Sequence, residues 1–316
     1  MEADRVDDAI VVGGSYAGLS AALQLARARR RVCVIDDGQR RNRGVRASHG
    51  FLGQDGRAPE RIVEVGKAQL TAYPTVTWLD DTAIEARAVE PRVIEPRVIT
   101  TPDDIHQELE LVLAGGERRR ARRLVLATGI VDDLPAIPGL VERWGRSVFH
   151  CPYCHGYELD GGAIAAIAGS PRIEHLARLL PDWGPTTLFA EDVELEPILW
   201  AAIAARGVTI ERTRIAAVEG GARGVDLRLA DGRVCSFAGA FTTTCTRLAD
   251  DLAAQLGCEL EDGPAGSHLK VNGAGATSVP GVYACGDNAV SSGSVSIAVG
   301  DGARTGIAVH QSLILR

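Results

Sequence analysis

The chain has 316 residues, enough for two domains with separate cores. Apolar content of 46%, charged content of 24% and a mean hydropathy of +0.03 describe an ordinary globular protein. A net charge of -7 and an isoelectric point near 5.6 argue against nucleic acid as a partner, since phosphate binding needs a basic face. No apolar run approaches membrane-spanning length, and the acidic start, Met1 to Asp8, runs straight into a short apolar strand without a leader. The expectation is a cytoplasmic protein with no membrane partner. In that compartment structural disulfides are rare, so the seven cysteines are expected to be mostly reduced. Cys33, Cys235, Cys245, Cys258 and Cys285 stand singly and read as small buried apolar residues.

The first third opens with an apolar run, Ala9 to Val12, followed by Gly13-Gly14-Ser15-Tyr16-Ala17-Gly18 and then Leu19, Ala22, Leu23 and Ala26 at helical spacing. A second run, Val32 to Ile35, ends in Asp36. Strand, glycine turn, helix, strand and terminal acid make one dinucleotide-binding unit. Gly13 allows the tight turn, Gly18 lets helix and strand pack closely, and the helix amino terminus faces a pyrophosphate. Asp36 then accepts the ribose hydroxyls. Ser15 occupies the middle glycine position of the usual G-x-G-x-x-G, so the backbone approaches phosphate past a small side chain.

Residues 40–55 are polar and arginine-rich and contain His49, either a loop residue over a cofactor or a solvated loop histidine. From Val76 to Thr100, strand-like runs alternate with turn residues. Within them Glu90-Pro91-Arg92-Val93-Ile94 is repeated as Glu95-Pro96-Arg97-Val98-Ile99, which reads as a tandem duplication in a surface hairpin. Arg118 to Arg123 reads as a solvated strand edge. Leu124-Val125-Leu126-Ala127-Thr128-Gly129 reads as a buried strand ending at a glycine turn.

Near the midpoint stands His150-Cys151-Pro152-Tyr153-Cys154-His155. Two thiols three positions apart can close a small disulfide ring and pass electrons to a neighbouring acceptor. The alternatives are half of a zinc site, which His150 and His155 could complete although no second Cys-x-x-Cys appears, or an inert core pair. Beyond it, the apolar run Ala163 to Ala168, the helical spacing of Ile173, Leu176, Ala177 and Leu180, and the strand Thr186 to Ala190 repeat the topology of a dinucleotide unit. Glu191, Asp192, Glu194 and Glu196 follow, at the first turn of a helix carrying Leu195, Ile198, Leu199, Ala202 and Ile203. Asp231-Gly232 reads as a hairpin turn. Val282 to Asp287 reads as a strand ending in Gly286-Asp287, and a helix begins at Val295.

The glycine unit, the Ala127-Thr128-Gly129 strand end, the central Cys-x-x-Cys and the late Gly286-Asp287 resemble, in order and over nearly the whole chain, the low-molecular-weight thioredoxin reductase family of FAD-dependent disulfide oxidoreductases. The resemblance implies an α/β fold of two Rossmann-like, three-layer ββα dinucleotide-binding domains, the second inserted in the first. Their limits are expected at 1–135 and 246–316 for FAD and 136–245 for a domain that carries the Cys-x-x-Cys. It implies FAD held by Gly13, Gly14, Ser15, Ala17, Gly18, Asp36, Asp37, Arg41, Asn42, His49, Ala127, Thr128, Gly129, Gly286, Asp287, Ser294 and Val295. Where a reductase carries G-x-G-x-x-A, this chain reads Ala168-Gly169-Ser170-Pro171-Arg172-Ile173. The four acids stand where the family places cations for the adenosine 2'-phosphate.

A dithiol and FAD without an NADPH signature resemble the dithiol oxidases that close disulfides in natural products such as gliotoxin, holomycin and romidepsin. That resemblance implies a small-molecule dithiol as substrate, electrons passing through Cys151 and Cys154 to FAD and then to O2 to give H2O2, His155 as proton acceptor with assistance from His150, no metal, and a homodimer. A disulfide reductase fed by NAD(P)H or a protein donor is the alternative, and a redox sensor without turnover is a third reading.

Overall fold

The computed structural model describes residues 6–89, 108–170, 172–222, 224–290 and 293–315. The Glu90 to Ile99 duplication and Pro171 lie outside the described residues. The chain divides into two compact units, Met1–Arg41 with Glu60–Val131 and Arg247–Arg316, and Asn42–Pro59 with Asp132–Thr246.

The first unit is built on a seven-stranded sheet in the order Val76–Asp80, Val32–Asp36, Val6–Val12, Arg118–Leu126, Glu108–Leu113, Ala83–Val89, with Val282–Ala284 also paired to Arg118–Leu126. Strands Val6–Val12, Val32–Asp36, Val76–Asp80, Arg118–Leu126 and Val282–Ala284 run parallel; Glu108–Leu113 and Ala83–Val89 form an antiparallel extension. Alternation along each parallel strand supplies both faces. Ala9 and Val11, with Val32 and Val34, enter one core with Ala21, Ala22 and Leu25 of helix Tyr16–Arg27 and Val309 of helix Val295–Ser312. Ile10, Val12, Cys33 and Ile35 enter the other with Leu109, Leu111, Leu113 and Leu252. A parallel strand buried on both faces needs an unbroken apolar run, and the sequence provides one.

Arg118 to Arg123 does not form a strand edge. These residues belong to a central strand whose amino-terminal half pairs with Glu108–Leu113 and whose carboxyl-terminal half pairs with Val282–Ala284, while Val6–Val12 lines its other side. The charge is accommodated because Glu110, 3% exposed at its side chain, accepts hydrogen bonds from Arg87, Arg118 and Arg120.

The second unit repeats the plan at smaller size. Strands Thr209–Glu211, Thr186–Phe189, Ile164–Ile167, Gly239–Thr242 and Val148–Phe149 form a five-stranded parallel sheet in that order. One face packs Ile173, Leu176 and Ala177 of helix Ile173–Leu179 and Ile203 of helix Pro197–Ala205. The other packs Val218, Val225, Leu227 and Phe237 of a three-stranded antiparallel meander, Ile215–Gly221, Gly224–Leu229 and Val234–Phe237. The turn at Asp231-Gly232 joins the last two strands, with Gly232 at φ +90° where a side chain would be strained. Both units are therefore Rossmann-like ββα layers, the second inserted in the first.

Two expectations shift. The helix after Thr186–Phe189 starts at Pro197, with Glu196 at its cap, so Glu191, Asp192 and Glu194 precede it on an exposed loop instead of occupying its first turn. Proline suits the first helical position because its missing N–H has no partner there in any case. Residues 42–59, expected with the first FAD segment, group with the middle unit. Gly44 sits so close to Trp144 and Gly145 that a Cβ would lie 3.1 Å from the Trp144 carbonyl oxygen, and His49 reaches Glu158.

Candidate active site

Cys151 stands at the amino-terminal cap of a one-turn helix, Pro152–His155, and Cys154 lies within that turn. Cys151 is extended at φ -111°, Pro152 starts the helix, and the Cys154 N–H donates to the Cys151 carbonyl at 3.2 Å. The turn brings the two Sγ atoms to 2.7 Å, so both sulfurs can join one disulfide after a small movement. Tyr153 packs edge-on against Trp183 at 5.2 Å, and a Cβ on Gly156 would meet the Trp183 ring at 2.6 Å, which fixes the back of the turn.

His155 ends the helix with its ring stacked on Phe149, centroids 4.5 Å apart. Burial holds its pKa down to about 4, with Glu158 acting to raise it and His49 to lower it. The imidazole is therefore neutral near pH 7 and can accept a proton. His150 is half-buried just after strand Val148–Phe149. Glu158 lies on the following short turn, Tyr157–Leu159, and its Oε1 is 3.4 Å from His49 Nε2. His49 Nδ1 is 3.7 Å from Asp55. His49, expected on FAD, thus stands in the unit that carries the thiols. Phe149, Glu158 and Asp55 are not singled out by any pattern in the sequence. Among the described residues, no three His, Cys, Asp or Glu side chains gather as a metal site.

The first unit contains a cradle that fits a dinucleotide. Strand Val6–Val12 turns at Gly13, φ +100°, where a Cβ would lie 2.3 Å from the Ala127 carbonyl oxygen. A Cβ at Gly18 would lie 1.8 Å from the Gly13 oxygen. Helix Tyr16–Arg27 has neither a side-chain cap from Ser15 nor an acid in its first turn, so its amino end suits an anion. Asp36 ends strand Val32–Asp36 and accepts from the Gly14 N–H at 2.9 Å.

At the second motif Gly286 takes φ +83°, its N–H donates to Asp301 at 2.7 Å, and Arg41 donates to Asp287 at 2.9 Å. Asp301, buried on helix Val295–Ser312, was missed because an acid inside an apolar helix carries no local signature. Ser294 caps that helix, accepting from the Ile297 N–H at 3.3 Å. Ala127, Thr128 and Gly129 follow strand Arg118–Leu126, with Gly129 at φ +73°. Asp37 is exposed and accepts from the Gln39 N–H at 2.8 Å, a turn-forming contact. Asn42 falls in the other unit.

The lone cysteines are not uniformly buried. Burial pushes the Cys33 thiol up to about 12 and raises that of Cys285, which makes both poor nucleophiles. Cys245, expected in a core, is exposed on strand Cys245–Leu248, where alternate side chains turn outward.

Two Rossmann-like units and a vicinal dithiol define a flavin- or nicotinamide-linked disulfide oxidoreductase. The family described as pyridine nucleotide-disulphide oxidoreductase matches residues 7–177 and 182–302. The thioredoxin reductase tcpT of Claviceps purpurea is 31% identical over 299 residues, covering 91% of this chain and 88% of that protein. Among solved structures, an oxidoreductase from Agrobacterium tumefaciens is 46% identical with a TM-score of 0.89, covering 98% of this chain and 99% of its own. HlmI is 33% identical with a TM-score of 0.88, covering 98% and 93%. The chain belongs to the pyridine nucleotide-disulphide oxidoreductase family, in its thioredoxin reductase-like branch, and is an oxidoreductase. Membership in this family of flavoproteins implies FAD. Among the described residues, no helix is long and apolar enough to cross a membrane.

Proposed function

We propose that the protein is an FAD-dependent dithiol oxidase that closes an intramolecular disulfide in a small-molecule dithiol. The observation that carries the reading is the exposed acidic loop of the middle unit. Glu191, Asp192 and Glu194 follow strand Thr186–Phe189, where an NADPH-binding unit needs cations for the 2'-phosphate. Carboxylates there repel that phosphate.

The reaction begins with Cys151 and Cys154 joined as a disulfide. One substrate thiol gives its proton to neutral His155, with His150 assisting, and its sulfur attacks Cys151. The Cys151–Cys154 bond breaks and Cys154 leaves as thiolate. The second substrate thiol gives its proton to the Cys154 thiolate and attacks the substrate sulfur bound to Cys151, so the product leaves as a disulfide and Cys151 becomes a thiolate. The substrate has lost two electrons and two protons; the cysteine pair has gained the electrons.

The Gly13 to Gly18 turn, Asp36, Arg41, Asp287 and the amino end of helix Val295–Ser312 would hold FAD, which when bound would supply a two-electron acceptor for the cysteine pair, with O2 as the final oxidant. The balance is one dithiol and one O2 to one disulfide and one H2O2. The protein works as a cytoplasmic homodimer in this reading, with neither nucleic acid nor membrane as partner.

The name of tcpT favours a second reading, a reductase fed by NAD(P)H or a protein donor. Anaerobic absorbance of the purified flavoprotein separates the two, with NADPH, NADH and dithiothreitol added in turn. Bleaching by dithiothreitol alone, reversed by air with one H2O2 per dithiol, is expected. Rapid bleaching by NADPH or NADH would establish the reductase.

A further inference from the structure

Asp301 is a charged side chain only 6% exposed on helix Val295–Ser312, and both of its oxygens are engaged. Oδ2 accepts from the Gly286 N–H at 2.7 Å. Oδ1 accepts from Arg304, one turn further on, which also donates to the Gly273 carbonyl. The next residue, Gly302, brings the helix backbone against the first nucleotide turn. A Cβ there would lie 2.1 Å from the Ala17 carbonyl oxygen, and one at Gly286 would lie 2.8 Å from the Ala17 side chain. Residues 301 and 302 thus fasten one helix to both nucleotide motifs, all within the first unit.

Strand order says which half of a dinucleotide the Gly286-Asp287 turn serves. Val32–Asp36, Val6–Val12, Arg118–Leu126 and Val282–Ala284 stand side by side in that order, with Ile35, Val12, Leu126 and Ala284 level at their carboxyl ends. Asp36 and Gly286 are therefore about three strand spacings, roughly 14 Å, apart. With the adenosine ribose at Asp36 and the pyrophosphate at the Gly13 to Gly18 turn, the Gly286-Asp287 turn is left to the flavin half.

We infer that Asp301 is a positioning residue for the flavin half of FAD. Its carboxylate holds the Gly286 N–H, and with it the turn that carries Asp287 and its partner Arg41, while Arg304 neutralises the buried charge. Gly286, at φ +83°, has the widest conformational choice of any residue type, and a hydrogen bond from outside the turn narrows it. A carboxylate holds an N–H more firmly than a neutral acceptor does. The inference rests on FAD as the ligand of this cradle and not on the direction of electron flow, so it applies to an oxidase and a reductase alike.

The test uses the full-length chain. FAD release from the holoprotein is measured by ultrafiltration across a dilution series, and ADP binding to the flavin-free protein by calorimetry. Asp301→Ala is expected to weaken FAD about tenfold or more, while ADP, which engages only the adenosine side, changes by less than about twofold. Asp301→Asn keeps the volume and an acceptor for Gly286 but turns an amide NH2 toward Arg304, so a smaller loss is expected. Combining Asp301→Asn with Arg304→Gln lets two amides remake both contacts and should recover most of the FAD affinity. That pair keeps the test open where Asp301→Ala fails to fold.

Unchanged FAD affinity in Asp301→Asn overturns the inference. Equal losses for FAD and ADP also overturn it, because they would mean that Asp301 only stabilises the unit. A wild-type protein that binds ADP and retains no FAD overturns the cofactor reading itself, and the inference falls with it.

Discussion

Phe149 lies nearly flat against His155, with ring centroids 4.5 Å apart and planes 27° from parallel. The contact buries the imidazole and keeps it neutral, with a pKa near 4 instead of the ordinary 6.5. Between those two values the unfolded chain binds a proton at this site and the folded chain does not, so folding stability falls as pH drops from about 6.5 to about 4. Above 6.5 the site contributes no slope. Urea unfolding at pH 7.5, 5.5 and 4.5 should therefore show a steeper acid loss in wild type than in His155→Gln. Equal losses would mean that the folded imidazole titrates normally.

The 2.7 Å separation of the Cys151 and Cys154 sulfurs makes the two thiols chemically one group, yet the mechanism gives them different duties. Each Cys→Ser substitution should abolish dithiol-dependent peroxide formation. Cys154→Ser leaves Cys151 as a lone thiol, so incubation with a disulfide probe such as oxidised glutathione should give a mixed disulfide at Cys151 with release of one glutathione thiolate, visible as an added mass removed by reductant. In Cys151→Ser the trapped mass should be much smaller. A reversed order would assign substrate attack to Cys154.

Gly18 faces the carbonyl oxygen of Gly13 so closely that an added Cβ would sit 1.8 Å from it. Both atoms belong to backbone at the nucleotide turn, so neither can swing aside, and Gly18→Ala should cost about 1–3 kcal/mol of stability or more. FAD retention through gel filtration should fall with it. Gly300, exposed in helix Val295–Ser312 where an added Cβ would meet nothing within 4 Å, is the control. Gly300→Ala should be neutral or stabilise by up to about 1 kcal/mol, since alanine has the better helix propensity.

The parts of this protein written in local pattern were legible from the residues. The run Val32 to Ile35 with Asp36 at its end became the expected strand, and the helix from Val295 begins where it was placed. Resemblance to a family then supplied what spacing could not, namely the pairing of a flavin fold with a dithiol. The misreadings share one cause, a partner distant in sequence. Six residues containing five arginines look like a solvent-facing edge until Glu110 is seen beneath them. His49 looks like any loop histidine until Glu158, 109 positions later, is beside it. Pro197, by contrast, was a local signal for the helix start that outranked the apolar spacing of Leu195.

Glu110 supplies the sharpest stability prediction. Burial alone would raise its pKa, but hydrogen bonds from Arg120 and Arg87 outweigh that and hold it at about 2, below the ordinary 4.5. Its contribution is therefore present above pH 4.5 and lost as pH falls toward 2. Glu110→Gln keeps the shape but removes the charge, leaving Arg87, Arg118 and Arg120 on the two flanking strands with a neutral acceptor between them. Breaking one side of a buried ion pair costs about 3–5 kcal/mol, and the arginines are partly exposed, so a loss near the low end of that range is expected at pH 7. At pH 3 the wild type has begun to lose the same interaction, so the two proteins should converge. Chemical denaturation at both pH values measures the difference, and a constant gap between them would show that the carboxylate charge is not what holds these strands together.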